Sequence, residues 1–135
     1  MITRAAREPH FVKVLLVEDD ASVAQMYRLK LELEGYSVDV ATDGLAALEK
    51  ARTLLPDVMF LDIRLPKLDG LGVLEALRAD PLTVGIRVVM LSNWNEKELV
   101  ERGMKLGALD HLLKSQTTPA RLARRVQELL GGPEV

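Results

Sequence analysis

A doubly wound α/β domain, in which helices cover both faces of a parallel sheet, is the architecture this sequence predicts. Strand-length apolar runs alternate with segments carrying a helical stripe along most of the chain. Strict alternation demands a crossover between parallel neighbours, and the helices supply it. With 135 residues, one apolar core is the expectation, and Cys 0 removes disulfides and thiolate metal sites.

Phe11 to Val17 is the first predicted strand, followed by a helix over Ala21 to Glu34. On that helix Val23, Met26, Leu29 and Leu33 fall at helical spacing and are expected to form the core face, with Gly35 as the stop. Ser37 to Ala41 and Leu45 to Leu55 are the next strand and helix, joined through Asp43 and Gly44. Asp57 to Leu61 and Leu71 to Ala79 follow, joined by a turn containing Pro66 and Gly70. Ile86 to Leu91, Asn93 to Asn95 and Glu96 to Leu106 are read as strand, turn and helix. Leu109 to Leu113 is the last strand. The closing helix, Ala120 to Leu130, has Leu122, Val126, Leu129 and Leu130 on one face. Thr118 and Pro119 stand as its cap and first position, and Gly131-Gly132-Pro133 as its end.

The expected organisation is a tail over residues 1–10, one domain over 11–131 and a short tail over 132–135, with no second domain following. No apolar run approaches the roughly 20 residues of a bilayer-spanning helix. The first ten residues lack the apolar stretch of a secretory signal, so a cytoplasmic location is expected. A net charge of -2 supplies no global basic field for nucleic acid or an anionic membrane. The two histidines, His10 and His111, are far apart and suggest no zinc site.

In an open parallel sheet, ligands bind beyond the carboxyl ends of the strands. Glu18-Asp19-Asp20 follow the first predicted strand, Asp62 the third, Ser92 the fourth and Lys114 the fifth. Crowded carboxylates repel unless a cation neutralises them, and an all-oxygen, partly hydrated site suits Mg²⁺. Such a site fits phosphoryl transfer. Asp62 would attack phosphorus, while Lys114 and the Ser92 hydroxyl take up charge on the phosphoryl oxygens. Taken singly these residues are ordinary: carboxylates cap helices, a strand-end serine is commonly a cap, and most lysines are solvated. The conjunction at one sheet edge carries the weight.

The stretches Val14-Leu15-Leu16-Val17-Glu18-Asp19-Asp20, Asp57 to Gly70, Val88-Val89-Met90-Leu91-Ser92 and Gly107 to Lys114 resemble the receiver domain of two-component response regulators, from Val12 to about Leu130. The resemblance implies a flavodoxin-like fold with strand order 2-1-3-4-5 and five flanking helices. It implies Asp62 as phosphoacceptor, Asp19 and Asp62 as Mg²⁺ ligands with the Arg64 backbone carbonyl, and Glu18 acting through water. Ser92 and Lys114 would receive phosphoryl oxygens, and His111 would stand where the family commonly has a tyrosine or phenylalanine switch. The implied partners are a sensor histidine kinase or histidine phosphotransfer protein and an effector of unspecified identity. A homodimer through the fourth helix, fifth strand and fifth helix is a further option. The default for Glu96, Lys97, Glu98, Glu101 and Arg102, and for Arg121, Arg124 and Arg125, is a solvated helix face.

Three positions depart from the family pattern. Asn93 and Trp94 follow Ser92 where a small residue is usual, and Ser115 follows Lys114 where proline is usual. The indole of Trp94 is expected to pack locally on its loop, against the alternative of a partner hot spot. The Lys114–Ser115 bond is expected to be trans and its loop looser. Enzymatic turnover of external substrates is not expected. A haloacid-dehalogenase-type phosphatase uses similar groups but places Asp-x-Asp at its first strand, whereas here Glu18-Asp19 comes first and Asp62 third. A pseudo-receiver that binds partners without phosphorylation is the other alternative, and intact Asp19, Asp62, Ser92 and Lys114 argue against it.

Overall fold

The computed structural model describes residues 11–130. The expected tails over 1–10 and 132–135, and the Gly131-Gly132-Pro133 stop, lie outside them. Five strands and five α-helices alternate: β1 (Lys13–Val17), α1 (Ala21–Leu33), β2 (Ser37–Ala41), α2 (Gly44–Leu54), β3 (Val58–Asp62), α3 (Gly70–Ala79), β4 (Arg87–Ser92), α4 (Lys97–Lys105), β5 (Asp110–Leu113) and α5 (Pro119–Leu129). A 3₁₀ turn, Lys114–Gln116, links β5 to α5. All strands pair in parallel, in the order β2-β1-β3-β4-β5. The element boundaries match the sequence expectation to within two residues.

Because both faces are covered, the three central strands divide their apolar side chains between two cores. Leu15, Val17, Met59, Leu61, Val88 and Met90 pack beneath α2, α3 and α4. Val14, Leu16, Val58, Phe60, Val89 and Leu91 pack with α1 and α5. β3 is buried along its whole length, so its final residue, Asp62, is carried into the interior at 2% exposure.

Four of the five helix starts are fixed by capping side chains on the same sheet edge, α4 being the exception. Asp20 caps α1 through Ser22 and Val23, Asp43 caps α2 through Ala46, Asp69 caps α3 through Gly72, and Thr118 caps α5 through Arg121. Gly70 opens α3 so close to Asp62 that a Cβ there would collide with the Asp62 carbonyl, which explains glycine at this turn.

The predicted core face of α1 is corrected. Its buried residues are Ala24, Tyr27 and Leu31, while Met26, Leu29 and Leu33 face solvent. Both sets follow i, i+3, i+7 spacing, and the more apolar stripe is the outer one. The inner stripe meets α5, which leaves room for a small alanine and gives the Tyr27 hydroxyl a carbonyl partner at Thr117, 2.9 Å away.

Arg78, near the end of α3, ties two connections together, the one before β4 and the one before β5. Its guanidinium donates to the carbonyls of Val84, Ile86 and Gly107, each at 2.9 Å. Arg78→Ala strips donors from these carbonyls and is expected to destabilise the domain by about 2 kcal/mol. Urea unfolding measures this as a lower midpoint at unchanged slope; an unchanged midpoint would show that water replaces the guanidinium.

Candidate functional site

The switch point of strand order lies between β1 and β3, and the predicted site residues gather at its carboxyl edge. Glu18 and Asp19 follow β1, Asp62 ends β3, Ser92 ends β4 and Lys114 follows β5. In register, Asp62 stands opposite Leu91, and Ser92 opposite Leu113. Carboxylate, hydroxyl and lysine therefore come from neighbouring strands.

Glu18, Asp62 and Ser92 are buried, whereas Asp19 is exposed at the rim. The Lys114 ammonium lies 2.8 Å from both oxygens of Asp62 and 3.1 Å from Glu18 Oε1. Its hydrogen bonds go to Asp62 Oδ2 at 2.8 Å and to Glu18 Oε2 at 3.5 Å. Asp62 Oδ1, Glu18 Oε1 and Ser92 Oγ are buried without a hydrogen-bonded partner, the first two facing the ammonium only as charges. Asp20 is separated from this group, since its carboxylate caps α1. Its backbone N–H instead donates to Glu18 Oε2 at 3.1 Å, fixing that carboxylate.

One ammonium cannot balance two buried carboxylates. Burial pushes Asp62 up to about 8; Lys114 pulls it down and Glu18 pushes it further up. Burial alone would lower Lys114, yet contact with Asp62 and Glu18 outweighs it and the net shift is upward. Excess negative charge is thus relieved by a proton on Asp62 while no other cation is present. Tyr27, below the site, is raised by burial and then by the charge of Glu18.

These residues fit a hard divalent cation. Oxygens of Glu18, Asp19 and Asp62 lie within 4.8 Å of one another, two of these carboxylates carry an unsatisfied oxygen, and no softer ligand is among them. The Arg64 carbonyl, two residues past Asp62, is the backbone group the resemblance adds.

The other expectations divide. His111 is exposed on β5 and lines a cleft of about 350 Å³ with Ser92, Trp94, Val100 and Leu113. Trp94 does not pack locally: it is 83% exposed, because the turn after Ser92 points it outward between two clefts. No cis peptide occurs among the described residues, so Lys114–Ser115 is trans as expected. The loop after Lys114 is held by Thr117, whose hydroxyl donates to Leu113 O at 2.7 Å and whose carbonyl accepts from Tyr27.

Glu96 is corrected from a solvated face to a buried carboxylate, 3% exposed and paired with Arg64 at 2.7 Å. A helix-start glutamate gives no sequence sign of this, because its partner is 32 residues away. Arg125 is likewise engaged, with Asp110 at 2.8 Å and Glu128 at 3.0 Å, while Arg121 and Arg124 are exposed as expected.

A buried acidic pocket with one lysine and one hydroxyl, at the switch point of a 2-1-3-4-5 sheet, defines a CheY-like signalling domain. The chain belongs to the response regulator receiver domain family of two-component systems, which it matches over residues 14–127. It is 38% identical over 123 residues to the alkaline phosphatase synthesis transcriptional regulatory protein PhoP of Bacillus subtilis, covering 91% of this chain and 50% of PhoP. It is 38% identical over 118 residues to the DNA-binding response regulator MtrA of Mycobacterium leprae, covering 87% of this chain and 51% of MtrA. The chain spans about half the length of these curated relatives. Among solved structures, chemotaxis response regulator CheY4 of Vibrio cholerae superposes with TM-score 0.81 at 31% identity, over 89% of this chain and 99% of CheY4. A Francisella receiver domain gives 0.79 at 34%, over 88% and 96%.

The raised Asp62 has a sign that can be checked. The unfolded chain releases this proton near 3.8, whereas the folded chain holds it to about 8. Metal-free stability should therefore fall as pH rises through that window. Asp43 and Asp80 are shifted downward by backbone N–H donors, so they act below it. Urea unfolding in chelator at stepped pH should show this decline, and Asp62→Asn should flatten it; equal slopes for the two proteins would contradict the assignment.

Proposed function

We propose that this domain is a phosphorylation-operated switch in which Asp62 accepts a phosphoryl group from a phosphohistidine on a sensor histidine kinase or histidine phosphotransfer protein. The observation that carries it is the Lys114 ammonium 2.8 Å from a buried Asp62 whose Oδ1 has no hydrogen-bonded partner. A buried carboxylate that shares one ammonium with Glu18 has little structural reason to exist unless its oxygens are used.

The chemistry balances without an external base. A carboxylate oxygen of Asp62 forms a bond to phosphorus, the phosphorus–nitrogen bond breaks, and its electron pair stays on that nitrogen of the donor imidazole, whose other nitrogen already carries a proton, so that neutral imidazole leaves. Lys114, already in place, pairs with a phosphoryl oxygen, and Ser92 Oγ, buried without a partner, is available to donate to another. Mg²⁺, held by Asp19, Asp62 and the Arg64 carbonyl with Glu18 acting through water, would supply charge neutralisation and an aligned phosphoryl group. Asp62 must be ionised to attack, and a divalent cation held beside it would favour that form.

The group transferred adds about −1.5 to −2 charge in a pocket that already strains to hold two carboxylates. Relief comes through movement of Ser92, Lys114 and the turns that carry them, and His111, beside Ser92 in the same cleft, is placed to follow. The output passes to an effector protein. Transcriptional regulation and DNA binding are in the names of PhoP and MtrA, and reach this chain only as a reading of what such an effector could do. The product is a modified protein, so catalytic turnover of added phosphoesters is not part of the function.

Incubation with acetyl phosphate and Mg²⁺ tests this by intact mass. The unmodified chain should gain the mass of one phosphoryl group, Asp62→Asn should gain none, and Lys114→Ala should gain it about 10²-fold more slowly. Chelation of Mg²⁺ should suppress the gain. Absence of the gain in the unmodified chain would support a phosphorylation-independent module, and rapid multiple turnover of phosphoesters a phosphatase.

A further inference from the structure

Glu96 precedes α4, where a carboxylate ordinarily faces water and the helix dipole. Here it is 3% exposed, and both its oxygens are engaged. Oε1 accepts from the Asn93 N–H at 2.7 Å, and Oε2 accepts from Arg64 Nε at 2.7 Å. The two donors belong to different parts of the site. Arg64 lies two residues past Asp62, and Asn93 is the residue after Ser92. One buried carboxylate thereby ties the loop after the phosphoacceptor to the turn that carries the unpartnered hydroxyl.

We propose that Arg64 and Glu96 form a latch that sets the resting position of the Ser92–Trp94 turn and opens when Asp62 is phosphorylated; this regulation rests on the phosphoacceptor reading above. The Arg64 side chain is 69% exposed, so its hold on Glu96 is reached from solvent rather than sealed in the core. A phosphoryl group on Asp62 places a new dianion two residues from this guanidinium and competes for it. The same group offers Ser92 Oγ its first acceptor, and motion of Ser92 draws the adjoining Asn93 N–H off Glu96. Either loss leaves a buried carboxylate short of a donor, which the fold does not tolerate. Glu96 then moves to water and takes the start of α4 with it. The turn therefore has two satisfied arrangements, and the phosphoryl group selects the second.

Trp94 lies inside this turn and lines the clefts on either side of it, one with Ser92 and His111 and the other with Arg64 and Glu96. It is the only tryptophan of the chain, so its emission reports the turn directly.

The experiment uses the full chain, Glu96→Gln and Arg64→Met. Glu96→Gln keeps the shape and an acceptor for Asn93 while removing the charge, and Arg64→Met breaks the same pair from the exposed side. Emission is recorded in chelator and then with Mg²⁺ and beryllofluoride, and intact mass is followed with acetyl phosphate. The unmodified chain should shift its emission on activation. Both variants should begin displaced toward the activated value and lose more than half of that shift. Variants that keep the resting emission and the full shift, in proteins that gain the phosphoryl mass, would reduce the pair to a static contact. An unmodified chain that gains the mass with no change in Trp94 would overturn the latch alone. No mass gain in the unmodified chain would overturn the phosphoacceptor reading and the latch with it.

Discussion

Two carboxylates and one ammonium share the carboxyl edge of this sheet, and the rest of the site depends on their unequal charge. Glu18 and Asp62 are buried because β1 and β3 are central strands covered on both faces, so the residues at their ends start from the interior. Lys114 reaches them from the end of β5 and neutralises one charge. The other is borne by a proton on Asp62 or by an added cation, and the second choice leaves the Asp62 carboxylate ionised. A fully balanced site would be more stable and chemically idle.

That imbalance sits among helix starts and turns rather than in the packed layers, so a change of charge at Asp62 meets those turns first. The apolar cores are continuous on both faces of the sheet and offer little room for alternative packing. The turns after β3 and β4 are held instead by a few polar contacts, among them Gly70 N–H to Ile63 O and the Asn93 N–H and Arg64 bonds to Glu96. Such contacts exchange donors at modest cost, so the site's response is carried by its edge while the sheet stays fixed.

The strands and the site were legible in the sequence for the same reason. A strand buried on both faces is apolar throughout, and a charged residue at its end stands out against it. Asp62 after Val58-Met59-Phe60-Leu61 and Ser92 after Val88-Val89-Met90-Leu91 are instances. Periodicity failed on α1, where two stripes share the same spacing and hydrophobicity favoured the wrong one. Ala24 and Tyr27 rank low on hydropathy yet are buried, because α5 leaves little space for the first and Thr117 offers the hydroxyl of the second a partner. Trp94 failed in the opposite sense, since an aromatic side chain in a tight turn has no neighbour to pack on. The Arg64–Glu96 pair was beyond reach, because nothing local marks a glutamate whose partner lies on another loop.

Mg²⁺-linked unfolding tests the central imbalance most directly. If a divalent cation relieves the surplus charge, millimolar Mg²⁺ should raise the unfolding temperature of the unmodified chain most above pH 8, where Asp62 has largely lost its proton. Asp19→Ala should lose that rise, because the rim carboxylate completes the oxygen set. An unfolding temperature indifferent to Mg²⁺, or a rise equally large without Asp19, would contradict the account.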